Sequence, residues 1–90
     1  MILVDPAVWP AHGRRFAHLV SDESHEELHA FADRLGLPRR AFHRDHYDIP
    51  DELCDTAMAL GAQPVTAREL VKRLQLAGLR RKRVQLPRQV

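Results

Sequence analysis

The stretch "FHRDHYDIP", residues 42–50, sets His43, Arg44, Asp45, His46, Tyr47 and Asp48 side by side. An imidazole has an unperturbed pKa of about 6.5, so a histidine beside a carboxylate can act as a general base near neutral pH or ligate a metal. His46 and Asp48 are two apart, which places both on one face of an extended strand. His18 and Asp22, in "HLVSD", share a face by the same period. Asp5, Asp22 and Asp48 each close a strand-like run, "ILVD", "HLVSD" and "HYD". In an open parallel sheet the carboxyl ends of the strands form one edge, and ligands bind in the crevice outside it. These carboxylates are therefore expected to converge.

Two residue sets follow from that placement. Asp5, Asp22, Asp48 and His46 form the expected ligand set for a divalent cation, Mn²⁺, Mg²⁺ or Zn²⁺, since hard cations take oxygen donors and hold phosphate groups. His18, His29, His46 and Asp48 form the expected acid–base set. Arg14, Arg39 and Arg44 supply guanidinium groups suited to phosphate, and Tyr47 a hydrogen-bond donor. Each residue also has a structural use. Asp22 precedes a helix and can cap it, Asp48 can cap the next one with Asp51 three residues on, and Asp5 before Pro6 can form a turn. His25 and His29, at i and i+4, can share a metal, but Glu26 and Asp33 beside them suit a solvated helix flank. His12 lies in a polar loop, and Cys54 reads as a core residue rather than a nucleophile.

The elements that position these residues are legible from pattern. "ILVD" (2–5) reads as a buried strand, 6–16 as a loop, "HLVS" (18–21) as a second strand, "HYDI" (46–49) as a third and "PV" (64–65) as a fourth. Ser24 with Glu27 is a capping box, and Leu28, Phe31, Ala32 and Leu35 give one apolar helical face that Gly36, Leu37 and Pro38 end. Residues 50–62 read as a second helix ending at Gly61. Thr66 with Glu69 caps a third, with Leu70, Val71, Leu74 and Ala77 inward and Gly78-Leu79 at its close. Strands alternating with helices predict an α/β fold: one small domain, with a short, mostly parallel sheet of three or four strands packed with three helices. The first and third helices match at an offset of 42 residues, mostly in capping vocabulary that any two good helices share.

Ninety residues make a single domain, here residues 1–79 with a basic C-terminal tail, 80–90. From Arg68 onward there are eight Lys or Arg and one acid, a charge of +7 against −5 for residues 1–67. Such a segment attracts polyanions or folds onto an acidic body. No apolar run reaches the roughly 18–20 residues of a membrane helix. The N-terminus lacks a basic leader and reads as a strand, and the lone Cys54 excludes an internal disulfide and fits a reducing cytoplasm. There is no GxGxxG, Walker loop, GxSxG or paired CxxC.

The segments "MILVDPAVWPAHGR", "HLVSD", "EELHAFADRLGL", "HYDIP" and "GAQPVTARELV" together resemble the small bacterial and phage proteins classified as domain of unknown function 4031. The likeness spans roughly residues 1–75 and keeps the family's recurring words, here His18-Leu19, Asp22, the helix with His29, and His46-Tyr47-Asp48. It supports these positions as a set and implies no reaction. The expected function is binding, with or without cleavage, of a phosphate-bearing ligand, a nucleotide or nucleic acid, at the His/Asp set around a divalent metal. The alternative is a non-enzymatic nucleic-acid or partner-binding module that works through the basic tail.

Overall fold

The computed structural model describes residues 1–11 and 13–80. In chain order the elements are β1 (Ile2–Val4), β2 (Trp9–Ala11), β3 (Arg14–Ser21), α1 (His25–Arg34), a 3₁₀ turn (Arg39–Ala41), β4 (Phe42–His43), β5 (His46–Pro50), α2 (Asp51–Ala59), β6 (Gln63–Pro64) and α3 (Ala67–Leu76). The helices begin and end where local chemistry demands. Ser24 Oγ accepts from the Glu27 N–H at 3.1 Å and Thr66 Oγ1 from the Glu69 N–H at 3.1 Å, each satisfying an orphan donor of the first turn. At the far end of α1, Gly36 takes φ +77° and the Leu37 N–H reaches back to the Ala32 carbonyl. Gly78 and Leu79 do the same at the end of α3, where the Leu79 N–H bonds the Leu74 carbonyl. Asp48 does not cap α2, which starts after Pro50 without a side-chain cap.

The sheet is mixed, not mostly parallel, and has six strands among the described residues. Their order is β4-β5-β3-β1-β6, with β2 also pairing with β3. The one parallel pair among them is β1 with β6. Two features set the directions. Residues 5–13 are too short a link between β1 and β3 for the dozen or more residues of a parallel crossover, so the chain folds back through β2. Gly13, at φ +73°, supports that β2–β3 turn, and Pro10 sits in β2, which pairs with β3 alone, where a missing N–H is tolerated. Residues 6–16 are therefore mostly hairpin rather than loop. The second feature is the β4–β5 hairpin, turned by Arg44 at φ +60°. It inserts β5 between β4 and β3, antiparallel to both.

The two faces of the sheet carry separate cores. Ile2, Val4, Ala17, Leu19, Tyr47 and Ile49 pack under α1 and α2 with Leu28, Phe31, Ala32 and Ala57. Leu3 and Val20 face the other way, against Leu70 and Leu74 of α3. By the period of two, His18 and Asp5 lie on this α3 face, and the register pair His18↔Asp48 brings Asp48 beside them.

Candidate metal centre

β3 is the axis of the polar site. β1 flanks it on one side and β5 on the other, so His18 stands between Asp5 and Asp48. Asp5 is buried, and both its oxygens are engaged by the same residue. Oδ1 accepts from the His18 backbone N–H at 2.6 Å, and Oδ2 lies 2.8 Å from His18 Nδ1. A carboxylate can only accept, so His18 Nδ1 carries the hydrogen, and in the neutral ring Nε2 is the atom able to ligate. His46 repeats the arrangement, with Nδ1 2.9 Å from Oδ1 of the buried Asp45. Arg80 holds Asp45 with two bonds, Nε to Oδ2 at 2.7 Å and Nη2 to Oδ1 at 2.9 Å. Burial works to raise the Asp45 pKa, but the Arg80 and His46 hydrogen bonds outweigh it and hold it at about 2.

The opposite edges of the two imidazoles meet at Asp48. His46 Nε2 lies 3.3 Å and His18 Nε2 3.9 Å from Asp48 Oδ1, and the three residues each offer a ligand atom within 4.8 Å of the others'. The rings stand edge to face, 5.2 Å between centroids. The Asp48 side chain is 42% exposed, yet its Oδ1 is shielded from solvent and accepts no hydrogen bond among the described residues. With both rings neutral, two Nε2 atoms and a carboxylate oxygen make a donor set of the kind a divalent cation takes. Zinc bonds of about 2.0–2.1 Å give tetrahedral ligand–ligand edges of about 3.3–3.4 Å, which the 3.3 Å His46–Asp48 spacing matches and the 3.9 Å His18–Asp48 spacing exceeds by about half an ångström. The His18 pKa is raised, first by the hydrogen bond to Asp5 acting against burial. His43, exposed on β4, is the cross-strand partner of His46, with ring centroids 5.6 Å apart.

Other expected site residues lie elsewhere. His29 does not join His18, His46 and Asp48. Its Nδ1 lies 2.7 Å from the Tyr47 hydroxyl, and Tyr47 points into the α1–α2 core, on the opposite face of β5 from His46 and Asp48. Burial and then the Arg39 charge push the His29 pKa down, and burial pushes the Tyr47 hydroxyl up. His25 and His29 both stack edge-on against Phe42 rather than on each other. Asp22 sits at the opposite end of β3, bound by Arg73 at 2.6 Å and the Met1 ammonium at 2.9 Å, roughly 13 Å of strand from His18. The convergence expected of Asp5, Asp22 and Asp48 assumed parallel strands. In the antiparallel β1–β3 pair, Asp5 and Asp22 fall at opposite ends, and Asp5 orients His18 rather than facing the trio. Arg14 pairs with Glu52, Arg39 lies on the Tyr47 side, and Arg44 is exposed in the hairpin turn. Cys54 donates weakly to the Pro50 carbonyl at 3.8 Å, and burial raises its thiol pKa, which fits a packing role. His12 and residues 81–90 lie outside the described residues.

Because Tyr47 and the His/Asp trio occupy opposite faces, Tyr47→Phe separates them. The variant is expected to lose about 1 kcal/mol in urea unfolding, the net worth of one hydrogen bond, while divalent-ion affinity stays unchanged. A tenfold fall in that affinity would put the Tyr47–His29 pair back in the site.

Arg80 was invisible to sequence reasoning. It stands at the head of a basic run, and nothing local distinguishes it from Arg81. Asp45 carried a weak signal: a lone acid between Arg44 and His46 in a predicted strand–turn region needs a cationic or hydrogen-bonded partner once buried.

No helix among the described residues is long and apolar enough to cross a membrane. No curated protein and no solved structure matches the chain. One family model does, described as "Protein of unknown function (DUF4031)", and it covers residues 2–77, from the first residue of β1 through the end of α3 and so all three residues of the trio. The chain therefore belongs to the DUF4031 family.

Proposed function

We propose that the protein is a metal-dependent hydrolase of phosphate-bearing ligands, with His18, His46 and Asp48 as the metal ligands. One observation carries this reading. Nε2 of His18 and Nε2 of His46 both lie within 4 Å of Asp48 Oδ1, and each histidine is held from behind by a buried carboxylate. Such carboxylate–histidine pairs fix the tautomer and raise ligand basicity at metal sites. The donor set favours Zn²⁺ or Mn²⁺ over Mg²⁺, since two of its three atoms are imidazole nitrogens. An ion held by His18, His46 and Asp48 would keep a coordination position open and would supply Lewis-acid activation of water near neutral pH. Hydrolysis of a diester by that water would form one P–O bond and break the P–O bond to the leaving group, whose oxygen takes up a proton, giving a monoester and an alcohol. Exposed His43 and Arg44 lie beside His46 at the rim and suit the phosphate oxygens.

Turnover of bis(p-nitrophenyl) phosphate tests the reading. Mn²⁺- or Zn²⁺-loaded protein should release p-nitrophenol. Asp48→Ala and His46→Ala should each lose at least about a hundredfold, the scale of removing a direct stabiliser of transition-state charge. Equal rates for wild type and both variants would reject the assignment.

A further inference from the structure

The two histidines are held from behind in different ways. Asp5 is fixed by the sheet itself, since its Oδ1 takes a backbone N–H of the neighbouring strand. Asp45 has no such anchor. It sits in the β4–β5 hairpin turn beside Arg44, a non-glycine residue in the left-handed region. Its orientation comes from Arg80, which arrives from beyond the end of α3 and grips both carboxylate oxygens. Asp45 Oδ1 is shared between Arg80 Nη2 and His46 Nδ1, and His46 Nε2 faces Asp48.

We infer that Arg80 is a positioning residue of the metal centre. Through Asp45 it holds His46 in the Nδ1–H tautomer, with Nε2 turned toward the ion. The inference rests on the metal reading above and extends it. It makes the docking of the segment after α3 a condition of tight metal binding, and by reciprocity makes the metal a stabiliser of that docking. A planar guanidinium reaches two carboxylate oxygens at once, whereas a lysine ammonium offers a point charge, so Arg80→Lys should restore only part of the effect. Loss of an outer partner of a ligating histidine typically weakens metal binding 10–100-fold.

The experiment uses the full chain with two readouts, one of them free of metal. Long-range ¹H–¹⁵N spectra of the metal-free protein report which ring nitrogen of His46 carries the proton. Co²⁺ titration, followed by visible absorption, reports affinity and ligand geometry. Arg73→Ala is the control, because Arg73 ties the same helix to the sheet through Asp22 at the far end of β3. Arg80→Ala should mix the His46 tautomers and weaken Co²⁺ binding 10–100-fold with an altered spectrum, and Arg80→Lys should fall between it and wild type. Arg73→Ala should lower the melting temperature with both site readouts unchanged. A wild-type His46 tautomer in Arg80→Ala would overturn the inference, as would an equal Co²⁺ loss in Arg73→Ala. A wild-type protein that binds no Co²⁺, yet loses the tautomer in Arg80→Ala, would reject the metal reading and uphold the positioning role.

Discussion

Zn²⁺ or Mn²⁺ at a hundredfold excess over its dissociation constant is expected to raise the melting temperature by about 10–20 °C. Ligand linkage supplies about 2.7 kcal/mol at that excess, and a domain of this size shifts by roughly 4–8 °C per kcal/mol. Asp48→Ala should abolish the rise. The pH dependence carries a sign that a generic ion effect lacks. The Asp5 hydrogen bond raises the His18 pKa above its ordinary value. Protonated His18 thus favours the folded metal-free protein. That contribution is complete below about pH 6.5 and fades as pH climbs through the raised folded value. A metal takes the neutral imidazole, so its affinity grows over the same window. Between pH 6 and 8 the His18 contribution to metal-free stability should fall while the increment from metal grows. His29, with its lowered pKa, contributes in the opposite direction, so the difference between wild type and His18→Gln isolates the His18 part. Melting curves that respond to pH identically with and without the ion would remove His18 from the ligand set, and a missing rise with every divalent ion would remove the metal.

What the sequence disclosed divides along range. The three helices were legible because their signals are local. Ser24 and Thr66 each bond an N–H three residues away, and Gly36 and Gly78 each take a left-handed turn that few other residues tolerate. The likeness of α1 and α3 is confined to their ends. Caps of the same vocabulary begin helices that pack on opposite faces of the sheet, one over Leu19 and Tyr47, the other over Leu3 and Val20. Strand direction was not local. It turned on the β2–β3 and β4–β5 hairpins, whose outer strands β2 and β4, of three and two residues, are too short for a period of two to show. The same distinction runs through the site. His46 and Asp48 share a face by spacing alone, and that part held. His18 joins them because β3 and β5 pair His18 with Asp48 across thirty residues of chain, a register no single-sequence pattern specifies. His29 sat on the edge of an apolar helical stripe, and the aromatic pair Phe42 and Tyr47 took it into a core on the other face.

Removal of residues 81–90 is expected to weaken binding of a single-stranded oligonucleotide about fiftyfold at 50 mM salt relative to the loss seen at 200 mM. The deletion takes away Arg81, Lys82, Arg83 and Arg88. Each neutralised phosphate on a single strand contributes roughly 0.7 to the slope of log K against log salt, so four give about 2.8, or about fiftyfold over that fourfold range. The cut must fall after Arg80, because Arg80 is bound to Asp45 and its loss would disturb His46. Asp22 neutralises Arg73 at 2.6 Å, which leaves Arg68 and Lys72 as the exposed cations of α3. Residues 81–90 contain no aromatic side chain. Contacts to a strand there are therefore to phosphate, and poly(dA) and poly(dT) should bind alike. The truncated chain keeps α3, its Leu70 and Leu74 contacts and the Arg80 clamp, so its melting temperature and Co²⁺ affinity should match the full chain. This outcome would make the terminal segment an affinity arm for a polyanionic substrate of the metal centre. Oligonucleotide binding with the same salt slope in both chains would place the phosphate contacts on the domain itself. Salt-independent binding, or none at 50 mM salt, would exclude nucleic acid as the phosphate-bearing ligand and leave small phosphate esters as the substrates to test.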